Sequence, residues 1–431
     1  MSRTVAIATL GCKTNQFESA AIEEQLKDAG YCIVPFEEGA DLVVVNTCTV
    51  TARTDAQSRN LIRRARRLNL QCRVIVTGCY AQVDPEAIRR IPGVAMVIGN
   101  DEKRDLLRYL AEEQQRQLVA VEEPGRGRGA APFSLSTFAD RSRAFVQIQN
   151  GCDAFCSYCI IPYARGSSRS VPFDEVLARV DGLARQGYRE VVLTGIHMGA
   201  YGLDLEPVRS LTELVVAIEE GIALPRLRLG SIEPTEISER LIERMAVSDH
   251  ICPHLHIPLQ SGADSVLRRM NRHYDAAFFH DLIVRIHRQV PEAAIGVDVI
   301  AGFPGESDEE FEQTRRLLDE LPLAHLHVFP YSRRPGTPAA DMPGQVAGDE
   351  IRRRCAVLRS LGERKARQYA ERFVGRTLEL VVEGGVADGW RRGLSRNYLN
   401  VRFRHDEDLQ GQCVRVRVEG WEPAGLYGSL L

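Results

Sequence analysis

Three cysteines, Cys152, Cys156 and Cys159, stand on one short stretch, Asn150-Gly151-Cys152-Asp153-Ala154-Phe155-Cys156-Ser157-Tyr158-Cys159. Thiolates hold iron–sulfur clusters, and a cubic cluster ordinarily takes four of them. The next cysteine along the chain is Cys252. The loop can therefore hold three irons of a cube and leave the fourth without a protein ligand, open to a small molecule. Plainer readings compete with this one. Structural zinc is usually held by paired C-x2–4-C units, which three cysteines and a distant histidine match less well. Disulfides suit secreted chains, and nothing marks this chain as secreted. A free cysteine packing as a small hydrophobe explains single cysteines, not three on one glycine-flanked loop.

A second set emerges from the elements that must position it. Residues 1–118 alternate strand and helix patterns. Apolar, β-branched runs at 5–10, 42–45, 74–77 and 94–98 are separated by helical patterns at 17–30, at 55–68 and after Asp84-Pro85. Asp101 is placed to cap a last helix reaching about residue 115. Strands spaced by helices imply a parallel, doubly wound sheet. Cys12, Cys48 and Cys79 each come just after one of the first three strands. In a parallel sheet those strand ends share one edge, where open α/β sheets bind ligands. The three cysteines thus converge into a second cluster site, again one ligand short. Cys32 and Cys72 precede strands, on the opposite edge, and read as structural.

The chain has 431 residues, a formal charge of −3, 44% hydrophobic and 26% charged residues, and eleven cysteines. That length implies several domains. The charge argues against a globally basic nucleic-acid coat but leaves room for local basic patches. No run approaches the ~18 apolar residues of a membrane span, and no leader pattern is visible at the start. A cytoplasmic, reducing location is expected, with the cysteines as thiols or ligands.

Residues 119–143, with Gly125-Arg126-Gly127-Arg128-Gly129, read as a linker. Residues 144–330 carry six further strand patterns with helices between them, which fits a partial (β/α)6 barrel with the cysteine loop after its first strand. His254 and His256 lie within a strand and read as packed side chains. A long helix over 347–376 holds nine Lys or Arg against four Asp or Glu. Its Arg352, Arg353, Arg354, Arg364, Lys365 and Arg367 make either a phosphate-facing surface or a solvated face. Residues 377–431 read as a separate small β-barrel, a fold that commonly binds nucleic acid. Binding there would rest on a local patch such as Arg391, Arg392, Arg396, Arg402 and Arg404, while Trp390 and Tyr398 either stack on bases or fill a core.

With these stretches in place, the chain resembles the methylthiotransferases of the radical S-adenosylmethionine (radical SAM) group over essentially its whole length. Thr9-Leu10-Gly11-Cys12-Lys13-Thr14-Asn15-Gln16, Asn46-Thr47-Cys48-Thr49-Val50-Thr51, Gly78-Cys79-Tyr80-Ala81-Gln82 and Arg396-Asn397-Tyr398-Leu399-Asn400-Val401 are similar to the subgroup acting on threonylcarbamoyladenosine in tRNA. One departure stands out: where such barrels often carry Gly-Gly-Glu after the second strand, this chain has Thr194-Gly195-Ile196-His197.

The resemblance implies an α/β fold in parts: residues 1–118 with the auxiliary cluster, a linker over 119–143, a radical SAM domain over 144–376, and an RNA-binding TRAM barrel over 377–431. It implies two [4Fe-4S] clusters, one on Cys152, Cys156 and Cys159 and one on Cys12, Cys48 and Cys79, with SAM on the open iron of the first. Tyr158, Thr194, Gly195, Ser231, Glu233 and Gln260 are the expected SAM contacts. Arg391, Arg392, Arg396 and Tyr398 are expected to touch RNA, with Arg59, Arg63, Arg64, Arg66 and Arg67 as further phosphate grips. Arg165 and Arg169, just beyond the radical cluster, either orient substrate or SAM or make ordinary salt bridges.

The implied reaction replaces the C2–H of an adenine with a methylthio group. That bond is not acidic enough for a general base; a radical made from SAM can break it, while the second cluster supplies sulfur and another SAM supplies the methyl group. The implied partners are a tRNA anticodon loop, an electron donor and a sulfur source, with no membrane. Alternative substrates are isopentenyladenosine in tRNA or an aspartate of a ribosomal protein. A reading of another class is a non-catalytic iron–sulfur electron carrier or RNA-binding scaffold. Carrier clusters are usually fully ligated by protein, which two three-cysteine sites are not.

Overall fold

The structure is a computed structural model that describes residues 3–112, 117–125, 133, 135, 142–385 and 389–431. The chain divides into two compact units. The first comprises Met1–Thr137, Gln149–Val171 and Ser332–Ala340; the second comprises Phe138–Ile148, Pro172–Tyr331 and Asp341–Leu431. The cysteine loop thus belongs with the N-terminal sheet, and the C-terminal barrel with the larger unit, a grouping the sequence boundaries did not suggest.

The first unit is built on a parallel sheet of β1 (Thr4–Thr9), β2 (Cys32–Ile33), β3 (Leu42–Thr47), β4 (Arg73–Gly78), β5 (Val94–Ile98) and β6 (Leu118–Ala120), in the order β2-β1-β3-β4-β5-β6. All six residues of β3 are buried, as a strand covered on both faces requires. Thr9 pairs with Asn46 and Thr47 with Gly78, so the ends of β1, β3 and β4 lie level. Between the strands run α1 (Lys13–Asp28), α2 (Ala52–Leu68) and the short α3 (Cys79–Val83).

Two details differ from the sequence expectation. Helix α1 begins at Lys13, not near residue 17, because its first turn buries polar Thr14 and Asn15, which hydrophobic periodicity cannot register. The stretch after Asp101 is a 3-10 turn and a helix ending at Ala111, with no side-chain cap from Asp101. Its carboxylate instead accepts from the Gly125 amide at 2.7 Å. Of the expected linker, residues 119 and 120 belong to β6, and Arg126 and Arg128 lie outside the described residues.

The second unit contains two three-stranded parallel sheets: β7 (Ala144–Gln147), β8 (Glu190–Thr194) and β9 (Arg226–Leu229), then β10 (His254–His256), β11 (Ala294–Ala301) and β12 (His325–Pro330). Isolated bridges, Leu227 to Ile251 and Ser231 to His256, continue one sheet into the other. These are the six expected strands of an open barrel. Helix α4 (Ile161–Arg165) belongs to the first unit; α5 (Gly348–Glu371) packs on β12, where Gly362 lies against Leu326.

Of the basic residues of α5, Arg354 and Lys365 are buried, while Arg352, Arg353, Arg364 and Arg367 are exposed and ion-paired at the surface. Buried Arg354 binds Glu306 at 2.7 Å, Arg353 binds Glu350, Arg364 binds Asp319, and Lys365 donates to the Leu321 carbonyl at 2.7 Å. Only Arg354 and Lys365 are thereby removed from any phosphate-facing surface; the exposed arginines pair with acids three and four residues away and on neighbouring elements, as a solvated face does.

The C-terminal residues form a closed barrel of β13 (Thr377–Gly385), β14 (Trp390–Ser395), β15 (Asn400–Arg404), β16 (Cys413–Glu422) and β17 (Gly425–Leu430), in the order β13-β14-β15-β17-β16. Leu380, Val382, Val401, Phe403, Val416 and Leu426 fill its core. Two fully buried arginines fasten it to β9: Arg226 donates to the Leu394 carbonyl, and Arg228 to those of Ser395 and Arg396. Both are also paired with Glu190 at 2.7 Å. No helix among the described residues is long and apolar enough to cross a membrane.

Candidate metal centres

The first triad is assembled by the sheet edge. Cys12 is the residue before α1, Cys48 follows β3 directly, and Cys79 opens α3 after β4. Gly78 makes that last turn possible: its φ is +93°, and a Cβ there would stand 2.3 Å from the Thr47 carbonyl oxygen. Gly11, at φ +102°, lets the Cys12 loop approach Cys48; a Cβ would lie 2.8 Å from the Cys48 Cβ and 3.0 Å from its Sγ. Burial, reinforced by the nearby Cys79 and Cys12, pushes the Cys48 thiol up to about 12. Such a thiol gives up its proton to a metal rather than to water, which is how metal binding couples to thiol ionisation.

The second triad sits on the Cys152–Cys159 loop, clamped at its base. Gly151 has φ +76° with no room for a side chain, since a Cβ would fall 1.9 Å from the Ser167 carbonyl oxygen. The Cys152 amide donates to the Gly166 carbonyl at 3.0 Å, and the Cys159 amide to that of Cys156 at 2.9 Å. The Ala154 amide points at Cys152 Sγ, 3.5 Å away. Phe155 adopts φ 44° and is half exposed. Residues Ser332–Ala340 return to brace both sets of loops: Arg334 binds Asp55 and Thr49 beside Cys48, each at 2.7 Å, and the Ala339 amide donates to the Ser157 carbonyl.

Between the triads lies a buried polar network. Arg165, at the end of α4, donates to Glu18 at 2.8 Å, Asn150 at 3.0 Å and Asn15 at 2.6 Å. Asn15 in turn holds the Leu10 and Thr47 carbonyls, which precede Cys12 and Cys48. Lys103 binds Glu18 at 2.6 Å and Asn100 at 2.8 Å. Asn100 donates to the Ala164 carbonyl at 2.7 Å, with Cys79 Sγ 3.9 Å from the same nitrogen. Burial opposes ionisation of Glu18, but Arg165 and Lys103 outweigh it and hold its carboxyl down at about 2.

Two buried cations thus face one carboxylate. The surplus positive charge stands within electrostatic reach of Cys12 and Cys79. A thiolate-ligated cluster carries the negative charge that this site lacks, so the donor set and its surroundings fit one.

The expected site residues fare differently. Arg165 and Arg169 are internal ties, not substrate-facing groups: the Arg165 side chain is fully buried, and Arg169 pairs with Asp101 at 3.3 Å. Tyr158 is partly buried within the cysteine loop. In the second unit, Thr194, Ser231 and Gln260 all lie at the carboxyl edge of β8, β9 and β10, with Gly195 just after β8. Glu233 is ion-paired with Arg272. On the C-terminal barrel, Arg396 donates to the Ile251 carbonyl, and Tyr398 stacks on His254 with ring centroids 4.1 Å apart. Both are turned to the neighbouring strands rather than outward, because the loop carrying them is held by Arg228. Arg391 binds the Asp406 and Glu407 carbonyls, while Arg392 stays exposed. Arg402 and Arg404 lie over the Trp390 ring at 5.3 and 5.1 Å, so these members of the local patch form one basic and aromatic surface. Sequence reasoning missed Asn15, Glu18, Asn100 and Lys103; only the placement of Asn15 and Glu18 beside Cys12 hinted at them.

Comparison with known proteins agrees with this architecture. Residues 4–99 match the model of Uncharacterized protein family UPF0004, and residues 146–318 that of the Radical SAM superfamily. A threonylcarbamoyladenosine tRNA methylthiotransferase MtaB of Bacillus subtilis is 41% identical over 96% of this chain and 93% of its own length. The chain belongs to the radical SAM tRNA methylthiotransferases. The same-named protein of Aquifex aeolicus is 36% identical over 96% of the chain and all of its own length. A tRNA-2-methylthio-N(6)-dimethylallyladenosine synthase of Pelotomaculum thermopropionicum is 34% identical over 98% and 97%. Among solved structures, the radical SAM methyltransferase TsrM of Kitasatospora setae, with cobalamin and a [4Fe-4S] cluster bound, shares the fold at TM-score 0.56 and 18% identity, over 79% of this chain and 74% of that one. Methylthiotransferases of this kind are enzymes that work with SAM and [4Fe-4S] clusters, which is the cofactor set the two triads fit.

Proposed function

We propose that this methylthiotransferase acts on N6-threonylcarbamoyladenosine beside a tRNA anticodon, adding a methylthio group at C2. The observation that carries the reading is the presence of two three-cysteine sites in one compact unit, joined through Arg165 and Asn100. One open-iron site suffices to make a radical; a second is needed only if another group, here sulfur, must be held nearby. The substrate follows from the relatives: those at 35–41% identity bear the threonylcarbamoyladenosine name, and those bearing the dimethylallyladenosine name stand at 32–34%.

In this reading Cys152, Cys156 and Cys159 hold the SAM-cleaving cluster, and Cys12, Cys48 and Cys79 the auxiliary one. When bound, these clusters and SAM supply the radical, sulfur and methyl chemistry, while the protein supplies position and a dry site. Gly151 and Gly166 shape the loop around the Cys152, Cys156 and Cys159 triad. Asn15 and Arg165 hold the backbone next to both. Thr194, Gly195, Ser231, Glu233 and Gln260 contact SAM, as does Tyr158. Arg391, Arg392, Trp390, Arg402 and Arg404 meet the RNA, the arginines by phosphate contact and the indole by stacking. Residues 1–118, 144–376 and 377–431 then serve sulfur, radical and RNA roles in turn. A cytoplasmic setting, an external electron donor and a sulfur source complete the scheme.

Mass spectrometry of tRNA nucleosides from cells with and without the gene tests it. Methylthio-threonylcarbamoyladenosine should vanish on deletion and return with the wild-type chain, but not with Cys152→Ala or Cys12→Ala. Loss of the methylthio form of isopentenyladenosine instead would overturn the substrate. An unchanged tRNA profile would redirect the search to ribosomal proteins.

A further inference from the structure

Outside both triads, one face of the second unit gathers four imidazoles. His254 and His256 stand two apart on β10, Gly296 and Asp298 on β11, and His325 and His327 on β12. Residues two apart on a strand share a face. The parallel register sets His256 beside Gly296, Gly296 beside His325, and Asp298 beside His327. As a result, His256, His325 and His327 can each present one ring nitrogen so that all three lie within 4.8 Å of one another.

Three features mark this as a constructed arrangement rather than a chance crowding. The Asp298 carboxylate lies 2.8 Å from His256 Nε2 and 3.4 Å from His327 Nδ1, within ion-pair reach of both rings. Carboxylates that hold the far nitrogen of a metal-bound histidine are a recurring support in metal sites. The His325 ring occupies the space above Gly296; a Cβ there would fall 2.0 Å from His325 Nε2. The third imidazole can enter only because position 296 lacks a side chain. The fourth, His254, is buried against Tyr398 and walls the cluster from one side. Half-exposed His327 leaves a way in from solvent.

We propose that His256, His325 and His327 bind one divalent transition-metal ion of the zinc class, with Asp298 orienting two of the ligands. Neutral imidazole suits zinc and its neighbours, and with no thiolate here the site is chemically distinct from the cluster triads. Nitrogens around a tetrahedral ion with bonds of about 2.0–2.1 Å stand roughly 3.4 Å apart. Side-chain adjustments of about an ångström therefore close the cluster. The proposal is independent of which tRNA base the enzyme modifies.

The test is elemental analysis of the full-length enzyme, both clusters in place, equilibrated anaerobically with zinc and dialysed against a weak competing chelator. About one zinc per chain is expected. His256→Ala with His327→Ala should lower it at least tenfold while iron and sulfide per chain stay at wild-type level. The single exposed change His327→Asn should lower zinc affinity in the same direction, which guards against misfolding of the double variant. Cys152→Ala should keep the zinc. No retained zinc in the wild type would overturn the site, as would zinc that survives the double substitution or leaves with Cys152→Ala.

Discussion

Arg165 shows how much one side chain can decide. Its guanidinium binds Glu18 and Asn15 from α1 and Asn150 from the stretch leading into the second triad. It therefore ties the surroundings of two cysteine sets whose nearest members, Cys79 and Cys152, stand 73 positions apart in sequence. Among the described residues, Glu18 is the carboxylate that pairs with both Arg165 and Lys103. Breaking a buried pair leaves an uncompensated charge and costs about 3–5 kcal/mol. Glu18→Gln should accordingly destabilise the protein by about that much in anaerobic urea unfolding; a loss below about 1 kcal/mol would show that the network is not a structural keystone.

The same glutamate sets an acid limit. Its folded pKa of about 2 is well below the ordinary value of 4.5, and that of Glu190, pulled down by Arg228 and Arg226 against the opposing effect of burial, is also about 2. Groups with depressed folded pKa stabilise the fold fully above their unfolded value and lose that contribution as the pH falls through the folded one. Unfolding followed by circular dichroism should therefore show stability flat above about pH 4.5 and falling steeply between about pH 4.5 and 2. In Glu18→Gln that fall should be shallower.

At the scale of elements, the turns matter more than the regular segments. Gly78 ends β4 in a conformation open to glycine, and the Thr47 carbonyl occupies the place of any side chain. Gly78→Ala must push β3 and β4 apart just where Cys48 and Cys79 leave them. Iron analysis of this variant should show about half the wild-type iron, the Cys152 loop retaining its share. Wild-type iron would mean that the auxiliary triad tolerates displacement. Hydrophobic runs announced the strands, and their order placed three cysteines on one edge. The start of α1 escaped notice because Thr14, Asn15 and Glu18 are polar yet buried. Likewise β6, three residues long, is too short to signal itself by periodicity.

At the scale of the whole molecule, the second unit includes the C-terminal barrel because Arg226 and Arg228 direct their donors to its carbonyls. Removing the barrel would strand two buried arginines with one glutamate, so truncation is a poor probe of RNA binding. Surface charge is the better one. Arg392→Glu with Arg404→Glu should weaken tRNA binding and lower the slope of log affinity against log salt by roughly one for each phosphate no longer neutralised. Gel-shift titrations at several salt concentrations would show it; an unchanged slope would move the RNA-binding surface elsewhere.

The sequence by itself determined the longer strands, the parallel α/β class and the spacing that sets Cys12, Cys48 and Cys79 just after three of those strands, since alternation, spacing and residue type are local properties. Its family motifs likewise pointed to tRNA methylthiolation. Tertiary structure alone decided what the polar residues do. It made Arg165 and Arg169 internal ties, turned Arg396 and Tyr398 to the neighbouring strands, and drew Arg354 and Lys365 of α5 inside. A charged side chain's role depends on which partners folding brings within about 3 Å, and for Arg165, Arg228 and Arg354 those include residues 147, 168 and 48 positions away. The histidines follow the same rule: two pairs on separate strands look like packing until the register of β10, β11 and β12 sets them around Asp298.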